Sequence, residues 1–369
     1  MLLNNSLYVP LALAVAFLIS FAATPMVIAL AHKINALDVP KDNRRVHKKP
    51  IPLIGGLAIF YGFVVSAICF ATIDRETLGI LIGSLIIVTV GVIDDMSDMK
   101  AIVKLLCQIV AAALVVYAGV RIEHFANPFY GWFGPQYLVM NYWVSVAVTI
   151  IWIVGVCNAV NLIDGLDGLA VGISSIASMS LVALTLLSNN LNVAILTAAV
   201  AGAGFGFLPY NFNPAKIFMG DTGALFLGFI LACISVEGFL KLSAIISFAV
   251  PILVLGLPIF DTIFAIFRRL LTGRSPMSPD RGHLHHRLLD MGFSQRQTVA
   301  ILYTMTGALC LTAVVISIQG YLRGLLLILA IFAIILCSLK FMGELKDPEK
   351  HSDYLTDLSV MEEEGKMQD

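Results

Sequence analysis

The sequence predicts an all-α polytopic membrane protein of about 11 transmembrane helices, with its N-terminus outside and its C-terminus cytoplasmic. Three observations lead there. Of the 369 residues, 59% are hydrophobic and only 13% are charged, whereas ordinary globular chains hold roughly 45–50% and 25%. Apolar runs recur at lengths near the roughly 17–25 residues that a bilayer-crossing helix needs. Lys and Arg gather between alternate runs, and a net charge of −1 gives no reason to expect a nucleic-acid partner.

The runs fall at 7–31, 51–72, 78–93, 102–118, 141–157, 169–188, 191–208, 223–238, 242–266, 299–318 and 322–341. No Lys or Arg precedes the first, so the basic region of a cleaved signal peptide is missing and 7–31 reads as a retained span. Runs 78–93 and 223–238 are short, and each ends in a polar, glycine-containing stretch able to continue the helix. Pro251 and Pro258 are expected to bend or break the run 242–266, which membrane helices tolerate where neighbours satisfy the freed carbonyls. The last 27 positions, from Gly343, carry 12 charged residues, so the chain divides into a membrane domain over 1–342 and a charged cytoplasmic tail over 343–369. Cys69, Cys107, Cys157, Cys233, Cys310 and Cys337 lie in or beside apolar runs without a C-x-x-C pair, and read as small buried apolar residues.

Basic residues set the orientation. With the N-terminus outside, 19 of the 23 Lys and Arg fall on the inner side, leaving Arg75, Arg121, Lys241 and Arg323 outside. The same arrangement puts 11 of the 15 acids before the tail on or near the inner face. Carboxylates at a bilayer edge are costly unless paired, wet or bound to a cation, so a one-sided concentration marks a site.

Four inner stretches carry the chemistry. Asp94, Asp95 and Asp98 close the third run, and their mutual repulsion makes most sense beside a divalent or substrate cation, the alternative being a solvated helix end. Asn161, Asp164 and Asp167 stand in Asn158-Ala159-Val160-Asn161-Leu162-Ile163-Asp164-Gly165-Leu166-Asp167-Gly168, an inner loop without Lys or Arg. Asp221 sits in Phe218-Met219-Gly220-Asp221-Thr222-Gly223 just ahead of a helix, where a carboxylate caps the helix or the helix attracts phosphate. His283-Leu284-His285-His286 lies among arginines in the largest inner loop; without cysteines or H-E-x-x-H it reads as a phosphate-binding surface rather than a zinc site. An acidic, magnesium-binding centre beside a cationic loop suits transfer of a phosphoryl group from a cytosolic donor to a lipid acceptor.

In this order and topology the four motifs resemble those of the polyprenyl-phosphate N-acetylhexosamine-1-phosphate transferases, over nearly the whole chain except the tail. The bacterial undecaprenyl-phosphate N-acetylglucosamine-1-phosphate transferases are the most similar branch. The resemblance implies a cytoplasmic-face active site that joins UDP-N-acetylglucosamine to undecaprenyl phosphate, giving undecaprenyl-pyrophosphoryl-N-acetylglucosamine and UMP. That step initiates teichoic acid, O-antigen or related cell-surface glycans. It implies Mg²⁺, with Mn²⁺ as a substitute, a multi-pass protein of the inner (plasma) membrane, and is compatible with a homodimer. By the same resemblance Asp221 is the metal ligand and Asp94 and Asp95 are catalytic residues near the lipid phosphate. Asn161, Asp164, Asp167, Asn211 and Phe218 surround the nucleotide and sugar, with Phe218 stacking on uracil. Lys48, His283, His285 and His286 handle phosphate and sugar.

Leu284 interrupts the histidine run that the related muramoyl-pentapeptide translocases carry consecutively, which favours the N-acetylglucosamine branch. Another UDP-N-acetylhexosamine or a phospho-N-acetylmuramoyl-pentapeptide donor is the alternative within the same chemistry. A cation-coupled secondary transporter would place its acids near mid-span and give the histidine loop no role. A CDP-alcohol phosphotransferase expects D-G-x-x-A-R, and Ala170 is not followed by Arg.

Overall fold

The structure, a computed structural model, describes residues 7–39, 50–97, 99–126, 137–240, 245–273 and 282–320, and beyond them 323, 324, 326, 327 and 329. The chain separates into two compact units, Met1–Ile318 and Gln319–Asp369. The first carries all that follows. The boundary expected at 342, the tail, Cys337, Lys48 and Asp98 lie outside the described residues, as does most of the run 322–341.

Helix α1 spans Tyr8–Ile34 and ends where Asn35 takes a left-handed conformation (φ 59°) and Ala36 N donates to Ala31 O at 2.9 Å. Strands β1 (Leu37–Asp38) and β2 (Ile51–Pro52) then pair antiparallel. Helices α2 (Gly56–Phe70), α3 (Arg75–Ser97) and α4 (Ala101–Ala118) follow. A second small ribbon, β3 (His124–Ala126) with β4 (Tyr137–Val139), leads into α5 (Tyr142–Ile163), capped where Asn141 Oδ1 accepts from Trp143 N at 3.0 Å. Helices α6 (Leu169–Leu187), α7 (Leu191–Asn211) and α8 (Gly220–Ser235) come next, α8 running on through a π turn at Val236–Leu240. The remainder comprises α9 (Ile245–Val254), α10 (Gly256–Leu271), the short α11 (Leu284–Asp290) and α12 (Gln295–Gln319).

Among the described residues eight helices are long and apolar enough to cross a membrane: α1, α3 to α7, α8 with its π turn, and α12. The chain is an all-α, multi-pass membrane protein. The runs at 78–93 and 223–238 do continue as helix, to Arg75–Ser97 and Gly220–Phe239. Among the described residues, two further runs are not matched by a helix of that length. Run 51–72 yields only the 15-residue α2, because Gly55 and Gly56 are held by the backbone of Phe218 and Met219 and the helix starts there. Run 242–266 divides into α9 and α10 at Leu255, the break its two prolines foretold. The cysteines depart in part from expectation: Cys157, Cys233 and Cys310 are buried, but Cys107 is half-buried and Cys69 is exposed on α2.

Helix α8 is the axis of the bundle. Every residue from Thr222 to Ser235 is buried, and a helix apolar all round belongs inside. It packs against α2, α3 and α5, with further contact to α6 and α7. Small residues permit this. A Cβ on Gly56 would stand 2.1 Å from Gly223 N, one on Gly91 2.4 Å from Thr222 Cα, and one on Gly228 2.7 Å from Cys157 Cα. Where lipid surrounds the helices, such close backbone approach supplies much of the association. Buried hydroxyls fold back onto their own helices, as Thr24 and Thr197 do to Ser20 O and Val193 O at 2.7 and 2.6 Å.

Gly56→Ala is therefore expected to lower the thermal midpoint of the detergent-solubilised protein, by the equivalent of roughly 1–3 kcal/mol for an overpacked contact. Gly155 on α5, with nothing within 4 Å of its would-be Cβ, is the control. Gly155→Ala should leave the midpoint level or raise it, and equal losses at both positions would contradict the packing described.

Candidate active site

A cavity of about 730 Å³ opens at one end of the bundle, where the C-terminal ends of α3, α5 and α7 meet the N-terminus of α8. Antiparallel alternation brings these ends together, and with them residues more than a hundred positions apart. Asp95, Asn161, Asp164, Asp167, Asn211, Phe218, Asp221 and His286 all reach the cavity wall.

The floor is built on Asp95. Its Oδ1 accepts from Asp221 N at 2.8 Å, and its Oδ2 accepts from Thr222 N at 3.1 Å and Thr222 Oγ1 at 2.6 Å. A carboxylate from α3 thus caps α8, meeting the orphan amides and the positive end of its dipole. Gly220 makes this possible, since its φ is 68° and a Cβ there would stand 2.3 Å from Asp95 Oδ2. Asp95 still forms part of the wall, but both of its oxygens are engaged.

Beside this cap, Lys104 Nζ lies 2.8 Å from Asp94 Oδ2 and 2.9 Å from Asp221 Oδ2. Asp94 Oδ1 also accepts from Met99 N at 2.7 Å. One ammonium thus joins two of the carboxylates that the sequence placed in separate motifs. Among the described residues no three His, Cys, Asp or Glu side chains are placed to enclose a metal alone. The donor set nevertheless fits a hard cation that keeps part of its water and shares substrate oxygens, because Asp94 and Asp221 converge and acids outnumber Lys104. Asp164 registers the excess charge: burial, and then Asp221, Asp95 and Asp167, push its carboxyl up to about 8.

The loop 211–219 forms a second wall. Asn211 is buried and spends its amide internally, Oδ1 accepting from Gly168 N at 3.1 Å and Nδ2 donating to Ile217 O at 2.9 Å. It shapes the wall by fixing the loop. Phe218 is half-buried, its backbone bonded to Pro52 O and Gly55 N at 2.8 and 3.0 Å, so its ring stands at the cavity from a pinned chain. Asp167 Oδ2 accepts from Asn213 Nδ2 and Ala215 N at 2.9 and 3.1 Å, tying the loop to the α5–α6 connection.

The histidines close the third side. His283 Nδ1 lies 2.8 Å from Asp261 Oδ2, while Asp261 Oδ1 accepts from Leu284 N at 2.9 Å, so one carboxylate of α10 orients a ring and caps α11. The His283 and His285 rings stack with centroids 5.8 Å apart, and His285 meets His286 at 4.3 Å. His285 is 2% exposed and packs against Gly165. Burial and the neighbouring His286 push it down to about 4, so this ring is neutral at physiological pH. Of the three, His286 is the one at the cavity.

Sequence reasoning missed Lys104, counted only as a topological charge although a lone cation inside an apolar helix is a signal in itself. It left Asp261 unassigned among the inner acids, and it had no means of finding Thr222, whose role exists only across the α3–α8 contact.

Asp261→Ala should free the start of α11 while sparing the bundle. We expect amide exchange at 284–290 to rise by about tenfold or more, the worth of a hydrogen bond to a charged group, with the global thermal midpoint nearly unchanged. Unaltered protection there would show that Asp261 does not hold the segment.

Residues 77–239 match the family model described as Glycosyl transferase family 4. A probable undecaprenyl-phosphate N-acetylglucosaminyl 1-phosphate transferase of Bacillus subtilis (strain 168) is 40% identical over 83% of this chain and 85% of its own. A decaprenyl-phosphate N-acetylglucosaminephosphotransferase of Mycobacterium tuberculosis (strain ATCC 25618 / H37Rv) is 35% identical over 79% and 78%. A phospho-N-acetylmuramoyl-pentapeptide-transferase of Desulforudis audaxviator (strain MP104C) is 32% identical over 85% and 98%. With more than three quarters of each such relative's length aligned, and the four motifs gathered around one cavity, the chain belongs to glycosyl transferase family 4, the polyprenyl-phosphate N-acetylhexosamine-1-phosphate transferases.

Proposed function

We propose that the protein transfers N-acetylglucosamine 1-phosphate from UDP-N-acetylglucosamine to undecaprenyl phosphate, releasing UMP, at the cytoplasmic face of the inner (plasma) membrane. The observation that carries this reading is the carboxylate pair Asp94 and Asp221, joined by Lys104 at the mouth of a helix bundle. There a charged donor enters from water and a lipid acceptor from the bilayer. Relatives named for N-acetylglucosamine, at 40% and 35% identity, favour that sugar over the muramoyl-pentapeptide donor.

In this reading Asp94 and Asp221 hold Mg²⁺, which when bound neutralises charge on the donor pyrophosphate and on departing UMP. Asp95 keeps Asp221 in place through the α8 cap. Lys104 adds fixed positive charge, Asn161, Asp164 and Asp167 hydrogen-bond the nucleotide, Phe218 stacks on the base, and His286 meets phosphate or sugar. Lys48 belongs with the phosphate contacts on the resemblance alone. A phosphate monoester has its second pKa near 6, so the acceptor is largely dianionic at neutral pH and attacks the sugar-bearing phosphorus in line without a strong base. Asp94, with both oxygens engaged, helps orient the acceptor rather than taking a proton.

The test is incubation of purified protein with undecaprenyl phosphate, Mg²⁺ and a panel of UDP-sugars, scoring UMP. We expect release with UDP-N-acetylglucosamine only when lipid is present. UMP from extracted, lipid-free enzyme would instead support a covalent two-step route. Asp221→Asn should cut turnover by at least about 100-fold, since metal ligation is worth several kcal/mol, without changing the thermal midpoint. Near-normal turnover would leave Asp221 as a helix-terminal residue only.

Orientation is testable at described positions. Ser188 ends α6 at the opposite end of the bundle from the cavity, and Thr272 ends α10 on the cavity side; both are exposed. In a cysteine-free background a membrane-impermeant thiol reagent applied to intact cells should label Ser188→Cys and spare Thr272→Cys. The reverse pattern would invert the topology.

A further inference from the structure

The first turn of α12 braces both donor-side loops, yet none of its residues figured among the candidates. Ser294 and Gln297 form a reciprocal cap, Ser294 N donating to Gln297 Oε1 at 2.9 Å and Gln297 N to Ser294 Oγ at 3.3 Å, so the helix start is fixed. Between them Gln295 Oε1 accepts from Asn213 Nδ2 at 2.8 Å. The same Nδ2 donates to Asp167 Oδ2 at 2.9 Å, and Arg296 Nη2 donates to Asn213 O at 3.0 Å. Two turns on, Tyr303 OH donates to Gly168 O at 2.5 Å. Both hydrogens of the Asn213 amide are therefore divided between α12 and the α5–α6 connection.

We propose that Gln295 is a positioning residue for the donor nucleotide, acting through Asn213 on Asp167 and on the loop that carries Phe218. The inference rests on the reading of the cavity as the UDP-sugar site. An Asn amide held by one acceptor can rotate about its last torsion; held by two, it presents a single orientation. With Oδ2 of Asp167 already accepting two hydrogen bonds, the ligand is served by Oδ1, and its direction is set by how Asn213 is held. Because α11 and its histidines directly precede α12, the same turn keeps the donor loops in register with the segment bearing His286.

The experiment measures KM for UDP-N-acetylglucosamine and for undecaprenyl phosphate separately, with the thermal midpoint, in wild type, Gln295→Ala, Asn213→Ala and the double variant. Loss of one neutral hydrogen bond should raise the UDP-sugar KM about fivefold in Gln295→Ala, with kcat, the lipid KM and the midpoint nearly unchanged. Asn213→Ala should raise it at least as far, and the double variant no further than Asn213→Ala, since Gln295 acts through that amide. Multiplied losses in the double variant would mean that Gln295 touches the nucleotide itself and would overturn the proposal. So would an unchanged UDP-sugar KM, or a rise in both KM values with a fallen midpoint, which marks a merely structural contact. A wild type that releases no UMP from UDP-N-acetylglucosamine would sink the functional reading first and this inference with it.

Discussion

The site depends on one contact, the Asp95 carboxylate seated on the first amides of α8. A buried helix start with unsatisfied N–H groups is costly, and α8 is buried from its third residue onward. Asp95 offsets that cost from a neighbouring helix, which obliges α3 and α8 to keep one register. With that register set, Asp94 on the next position faces Lys104 and Asp221, and the α4 ammonium completes the group. A shift of α3 by a single residue would bring Asp94 to the cap and leave Ile93 facing Lys104 and Asp221, or bring Met96 to the cap and lose it. The close glycine contacts at Gly56, Gly91 and Gly220 are the steric counterpart of the same requirement.

The charge pattern follows from this arrangement. Acids crowd one end of the bundle with Lys104 among them, and the buried His285 ring, neutral by burial, adds no positive charge there. In the proposed reading such a cavity repels a bare anion and accepts one that arrives with a cation. In the same reading, specificity for a nucleotide sugar falls to the wall where Phe218 and the 211–219 loop are held by backbone bonds.

Fold class was legible because long apolar runs admit few alternatives. The motif residues were legible because Asp, Asn, His and Gly at the ends of such runs have few bland explanations. What escaped the sequence was whatever lies between elements. Nothing in Asp95 announces a cap for a helix that starts at Gly220, and nothing in Asn211 announces that its amide bonds Gly168 and Ile217. Hydropathy also blurs helix ends: it averages over the break at Leu255 and cannot see that backbone bonds from Phe218 and Met219 start α2 late.

That late start has a consequence for the surrounding lipid. A 15-residue helix is about 22 Å long, short of the roughly 30 Å of hydrocarbon in a typical bilayer. A helix of that length crosses only where the membrane thins or flanking polar groups reach outward, each at a modest cost per ångström. Its first residue, Gly56, is the one that lies against Gly223, so the length of α2 is cut at the contact that seats it on α8.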